Sequence, residues 1–179
     1  HSTARNFNDV FARAAPITIV EAEEIVNVGE IPPDLVHLPS VFVNRIVPAT
    51  VPNSVEVYRY QDQPRGDMLK GQYVREVIAR RAAMELRRGQ TANLGFGISA
   101  LVPRILLEAG EPQAVTWAIE QGAVGGMPLT GFAFGCASNA FGFVPSPNQF
   151  SYFQGGGFDM SFLSFLEVDR QGNVNVSKL

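Results

Sequence analysis

Between Asn93 and Glu120 the chain reads as a strand, a helix and a second strand in close succession. A short run closes at Leu94, Gly95-Phe96-Gly97 makes a turn, Ser99 to Glu108 has helical spacing, Gly110 stops it, and Ala114 to Glu120 alternates as a strand does. Strands joined this way lie parallel with a right-handed crossover. Parallel strands need cover on both faces, so this unit predicts an α/β fold, a mostly parallel sheet with flanking helices. Ligands of such sheets gather beyond the carboxyl ends of the strands. Both Gly95-Phe96-Gly97 and Glu120-Gln121-Gly122 fall at that end.

The remaining segments extend the pattern. Residues 7 to 15 space Phe7, Val10, Phe11 and Ala14 as a short helix that Pro16 ends. Strands are expected over Ile17 to Val26 and Val41 to Val47, separated by Gly29 and the Pro32-Pro33 pair. From Pro48 to Met68 the composition turns to Pro, Asn, Gln, Asp and Gly, as in a connection between units. Gln72 to Arg88 places Val74, Val77, Ile78, Ala82 and Leu86 on one helical face, and Gly89 stops it. Its five arginines lie mostly off that face and read as a solvated surface, those in the last turn also suiting the helix dipole. Residues 1–47, 48–71 and 72–179 are therefore expected as an N-terminal unit, a linker and a second domain. Two strands and one helix bury too little to stand alone, so residues 1–47 should pack on 72–179 or on another copy.

After Glu120 glycines and aromatic residues interleave, through Gly122, Gly125, Gly126, Gly131, Gly135 and Gly142 to Gly155-Gly156-Gly157. So many large apolar groups seek burial, which predicts ordered, closely packed loops rather than a flexible linker. Met160 to Val168, the turn Asp169 to Asn173 and Val174 to Val176 read as a closing hairpin.

Composition removes several classes of function. With 46% hydrophobic and 17% charged residues the chain can build a core. A net charge of −3 carries no basic footprint for nucleic acid, nor for an anionic membrane surface. Cys136 is the only cysteine, and of two histidines His1 has the look of a tag remnant, so neither a disulfide framework nor a metal site is expected. No apolar stretch reaches the ~20 residues of a membrane span. A reducing, cytoplasmic setting fits. His37 reads as a loop or interface residue, Cys136 and Trp117 as buried, and Asp159 as a group that orients the glycine loop beside it.

Glu120 closes its strand against Gln121-Gly122 and Gly125-Gly126. A carboxylate there can have a substrate brought close, since glycine removes the side chain that would block approach. On spacing alone a solvated strand-end glutamate is the stronger reading.

Longer matches add to this. Thr116 to Pro128 resembles the glutamate-containing motif of family I coenzyme A transferases. Asn93-Leu94-Gly95-Phe96-Gly97 is similar to that family's glycine loop, and Gly155-Gly156-Gly157-Phe158-Asp159 to its downstream glycine motif. Glu167 to Lys178 resembles its hairpin, while Glu21 to Gly29, Val36 to Pro39 and Val41 to Val43 resemble the close of its first domain. Ser99 stands where the family often has proline, and Gln121 where many members have asparagine or alanine. The pattern is nearest the single-chain, short-chain acyl-CoA:acetate or propionate transferases. It implies an internal piece of that fold, with residues 1–47 from the end of the first domain and 72–179 from the start of the second.

The resemblance implies ping-pong transfer of coenzyme A between a short-chain acyl-CoA and a carboxylic acid. Glu120 is the implied nucleophile, carried through a glutamyl-CoA thioester. A glutamate needs no histidine to activate it, because a carboxylate is ionised at neutral pH. Gly155 or Gly156 would supply N–H donors to the developing oxyanion, whose loss typically costs on the order of 3 kcal/mol. Gly95, Gly97, Gly125 and Gly126 would lie along the coenzyme A. Close loop packing is the competing reading for Gly155 to Gly157, and a tight turn that for Gly95 and Gly97. No tightly bound cofactor is implied, and self-association is expected because a truncated sheet exposes strand edges. Two other readings stay open: an acyl-CoA hydrolase of the same fold, and a truncated binding or assembly module without turnover.

Overall fold

A computed structural model describes residues 6–51 and 73–177. Helix α1 (Asn8–Ala14) leads into strand β1 (Ile19–Ala22), which pairs in parallel with β2 (Arg45–Pro48). The second expected strand thus begins later than Val41, because Ser40–Phe42 form a single 3-10 turn after Pro39. Pro48 is the last residue of β2 rather than the first of a linker, and expectations for residues 52–71 lie outside the described residues.

Helix α2 (Tyr73–Ala83) is shorter than its apolar face suggested. Beyond Ala83 the chain tightens into i to i+3 turns, and the N–H of Gly89 bonds Ala114 O at 2.7 Å instead of a helical carbonyl. Gly89 has φ +88°, which releases the chain toward the sheet. Arg80 on α2 bonds Glu76 at 2.9 Å and Glu108 at 2.7 Å, contacts that raise its pKa, Glu76 first.

The expected strand, helix and strand follow: β3 (Thr91–Leu94), a 3-10 turn over Ile98–Leu101 running into α3 (Val102–Glu108), and β4 (Thr116–Ala118), parallel to β3. Short strands β5 (Ala123–Val124), β6 (Met127–Pro128), β7 (Ala137–Ser138) and β8 (Gly142–Phe143) come next, then α4 (Ser146–Gln154) and β9 (Met160–Phe162). The main sheet has the order β8-β5-β4-β3-β9. Its centre is the parallel trio β4, β3 and β9, and the two-residue strands β5 and β8 extend it antiparallel. A hairpin of β10 (Glu167–Val168) and β11 (Val174–Asn175) closes the chain. Met160 to Val168 is not one strand, because the ladder with β3 ends at Phe162 opposite Leu94, and the chain pairs again only at Glu167–Val168, with β11.

The core explains the trio. Ala92 and Leu94 of β3, Trp117 of β4, Val102 and Ile105 of α3 and Ala79 of α2 form one buried cluster. Burying a side chain such as Leu94 or Val102 contributes about 1.5–3 kcal/mol. Ile119, Ala123, Ala137 and Ala140 form a second cluster beneath the turn after β4. Among residues 6–51 the only buried side chain is that of Thr18. That segment touches the rest through Phe7, 5.9 Å from Phe150 on α4, and through Ser146 N–H bonded to Asn6 O at 3.0 Å.

Helix α4 has no counterpart in the loops expected there. Pro147 in its first turn and the glycines after Gln154 are start and stop signals, but aromatic and glycine composition concealed them.

Candidate active site at the carboxyl edge of the parallel strands

Glu120 does not end a strand. It lies two residues past β4, in a turn that the Gly122 N–H closes on Ile119 O at 2.8 Å. Gly122 has φ +115°, and a side chain there would collide with the Val144 carbonyl, so the turn requires glycine. Two α4 side chains brace it: Ser146 Oγ donates to Glu120 O at 2.8 Å, and Gln149 Nε2 to Ile119 O at 3.2 Å. Both are almost wholly buried. With its backbone held and its side chain half exposed, Glu120 has no hydrogen-bond or ion-pair partner for its carboxylate among the described residues.

The register places Asn93 beside Ala118, so the ladder carries Gly95 toward Glu120. Gly95 is pressed against β9, its N–H bonding Phe162 O at 2.8 Å. Gly97 has φ +100°, a conformation open to glycine alone. Phe96 meets Phe134 edge to face at 5.6 Å, and a Cβ on Gly135 would lie 2.8 Å from Gln121 Cγ. Gly95-Phe96-Gly97, Glu120-Gln121 and Phe134-Gly135 thus form one cluster at the carboxyl edge. Gln121 Oε1 is buried there without a hydrogen-bond partner among the described residues.

Four residues expected at the site stand elsewhere. Gly155 and Gly156 follow α4, whose nine residues carry the chain about 13 Å away from Ser146. Asp159 then bonds Thr91 through both its N–H and its carboxylate, each at 2.8 Å, so the glycine run borders the amino end of β3, opposite Glu120. The Gly155 and Gly156 N–H groups bond Ser151 O and Phe153 O, which spends them on the helix end. Asp159 accordingly pins the start of β3 rather than the glycine loop. Gly125 and Gly126 run back along β4: Gly125 N–H bonds Trp117 O at 2.7 Å, and side chains there would strike the Phe141 ring and the Ser138 carbonyl. Packing by the chain's own atoms accounts for both.

The sequence reading missed Ser146, Gln149 and Ser164. Ser164 Oγ donates to Phe96 O at 2.8 Å, as Ser99 Oγ does to Gly95 O. Trp117 and Cys136 are buried as expected, and His37 is exposed, its carbonyl accepting a bond from Arg13 at 3.3 Å. Among the described residues no group of three or more His, Cys, Asp or Glu could hold a metal, and no helix is long and apolar enough to cross a membrane.

Residues 1–49 match the family described as coenzyme A transferase. The caffeate CoA-transferase of Acetobacterium woodii is 35% identical over 90% of this chain and 33% of its own length, and the acetate CoA-transferase YdiF of Escherichia coli K12 is 29% identical over 90% and 32%. A crystal structure of the acyl-CoA transferase YdiF from E. coli O157:H7, a thioester complex with CoA, superimposes with a TM-score of 0.73 at 27% identity, covering 91% of this chain and 31% of that one. In sequence and fold the chain is coenzyme A transferase-like. This transferase-like chain spans about a third of the length of the relatives it matches. The mixed sheet and flanking helices are those of the corresponding part of that fold.

Proposed function

We propose that the protein containing this chain transfers coenzyme A between a short-chain acyl-CoA and a carboxylic acid, with Glu120 as nucleophile. The supporting observation is the Glu120 carboxylate itself, unpaired among the described residues, at the edge where a parallel sheet receives its ligands. An unpaired carboxylate on a braced backbone is ionised and free to attack a thioester carbon.

The reaction is balanced without another reactant. A Glu120 oxygen attacks the acyl carbon of the thioester, and the carbon–sulfur bond breaks to give a mixed anhydride and the coenzyme A thiolate. The thiolate attacks the Glu120 carbonyl carbon, expelling the first carboxylate and leaving a glutamyl-CoA thioester. An acceptor carboxylate repeats both steps in reverse and restores Glu120. Each tetrahedral step places negative charge on a carbonyl oxygen, which needs converging donors. Gly95 and Gly97 border the path of the coenzyme. The protein works in the cytoplasm, as a self-associating enzyme without a resident cofactor.

The test is incubation of the whole natural protein with acetyl-CoA and propionate, then borohydride trapping and mass spectrometry of the peptide holding Glu120. A modified Glu120 and turnover that depends on propionate are expected. Turnover indifferent to added carboxylate would favour hydrolysis. A Glu120→Gln variant with normal turnover would end the proposal, because the amide keeps the shape and loses the nucleophile.

A further inference from the structure

Two serine hydroxyls converge behind the Gly95 loop. Ser99 Oγ lies 2.8 Å from Gly95 O and 3.4 Å from Phe96 O, Ser164 Oγ lies 2.8 Å from Phe96 O, and the two hydroxyls are 3.5 Å apart. Two consecutive carbonyls therefore point to one spot. In a trans peptide the C=O of one residue and the N–H of the next are antiparallel. The Phe96 and Gly97 N–H groups must then point together the other way.

That direction is fixed by the sheet. Gly95 N–H bonds Phe162 on β9, and Ser164 follows β9, so the carbonyls turn to the β9 side of β3. The paired N–H groups turn to the β4 side, where Glu120 lies. Neither N–H has a partner among the described residues. Successive amides aimed in one direction make an anion-binding concavity. A side chain cannot be added at Gly97: φ is +100° and a Cβ would stand 2.9 Å from Ser164 Oγ.

The geometry points to Ser99 and Ser164 as positioning residues that aim the Phe96 and Gly97 amides at the oxyanion formed during attack by Glu120. This assignment rests on the proposed function and supplies the donors that Gly155 and Gly156 do not. Ser99 is buried and fixes the first peptide plane; Ser164 is exposed and fixes the second.

Ser164→Ala, Ser164→Thr and Ser99→Ala are made in the whole natural protein and assayed with acetyl-CoA and propionate. Ser164→Ala should lower kcat about tenfold, less than the hundredfold or more that outright loss of such a donor costs, with KM for acetyl-CoA within about twofold. Ser164→Thr keeps the hydroxyl and should restore most of the rate. Ser99→Ala, the loss of one oxygen, should act in the same sense and serves if Ser164→Ala folds poorly. Wild-type kcat in both alanine variants, or a raised KM at unchanged kcat, would overturn the serine assignment while leaving the Glu120 adduct intact. A wild-type protein that forms no Glu120 adduct would overturn the proposed function and this inference together.

Discussion

Ser146 holds Glu120 by its backbone: the Ser146 hydroxyl donates to the Glu120 carbonyl at 2.8 Å from the first turn of α4. Helix and catalytic candidate are thereby tied, although 26 residues separate them. Ser146 is 2% exposed, and Ser146→Ala leaves the Glu120 carbonyl without that partner, so unfolding by urea should show a loss of about 1–3 kcal/mol. Turnover of the whole protein should fall with it. An unchanged midpoint would mean that the bond contributes nothing to the turn.

Trp117 separates two effects at one position. Its ring is wholly buried, so Trp117→Ala should cost about 3–5 kcal/mol. Its Nε1, however, has no hydrogen-bond partner among the described residues. Trp117→Phe removes that unsatisfied donor and should cost far less, about 1.5 kcal/mol or under, as the smaller ring loses contact but no polar bond. Equal losses in the two variants would contradict this.

Gly122 and Gly172 have similar backbone angles and different surroundings. At Gly172, φ +87° and with open space around it, alanine should cost only the left-handed strain of about 1–2 kcal/mol. At Gly122, φ +115°, alanine adds a collision with the Val144 carbonyl, and more than about 3 kcal/mol is expected. Thermal unfolding of the two variants side by side measures the difference.

The closing hairpin should weaken in acid. Asp169 accepts bonds from the Asn173 side chain at 2.7 Å, from the Asn173 N–H at 2.9 Å and from the Gln171 N–H at 2.9 Å, and these hold its pKa below the ordinary value, the Asn173 side chain foremost. A depressed folded pKa stabilises above the unfolded value, about 3.9, and that stabilisation is lost as pH falls through the folded one. The protection of the β10 and β11 amides, their exchange rate relative to the intrinsic one, should therefore fall below about pH 4. In Asp169→Asn the same amides should exchange with a flatter pH dependence once intrinsic exchange is subtracted.

Legibility in the sequence followed the range of the forces involved. The unit from Asn93 to Glu120 was readable because its apolar spacing and glycine stops act within a few residues. The hairpin turn was readable for the same reason, Asp169 bonding residues two and four places on. Helix α4 was not, since Phe150, Tyr152 and Phe153 between glycines resemble packed loops as much as a helix. That miss carried Gly155 and Gly156 to the wrong end of the sheet. The bracing of Glu120 by Ser146 and Gln149, and of Gly95-Phe96-Gly97 by Ser164, joins positions 26 to 68 residues apart, and no local pattern announces such pairs.

The glycines that turn the chain around Glu120 also bear on how this sequence can drift over generations. At Gly122, Gly125 and Gly126 the chain's own atoms occupy the space of any side chain, and positive φ angles penalise every replacement. Those positions are closed to mutation whether or not a substrate ever touches them. Inherited variation near Glu120 must therefore collect at neighbours such as Gln121. Invariance of the three glycines among descendants would record the shape of a fold, and only the fate of Glu120 would record its chemistry.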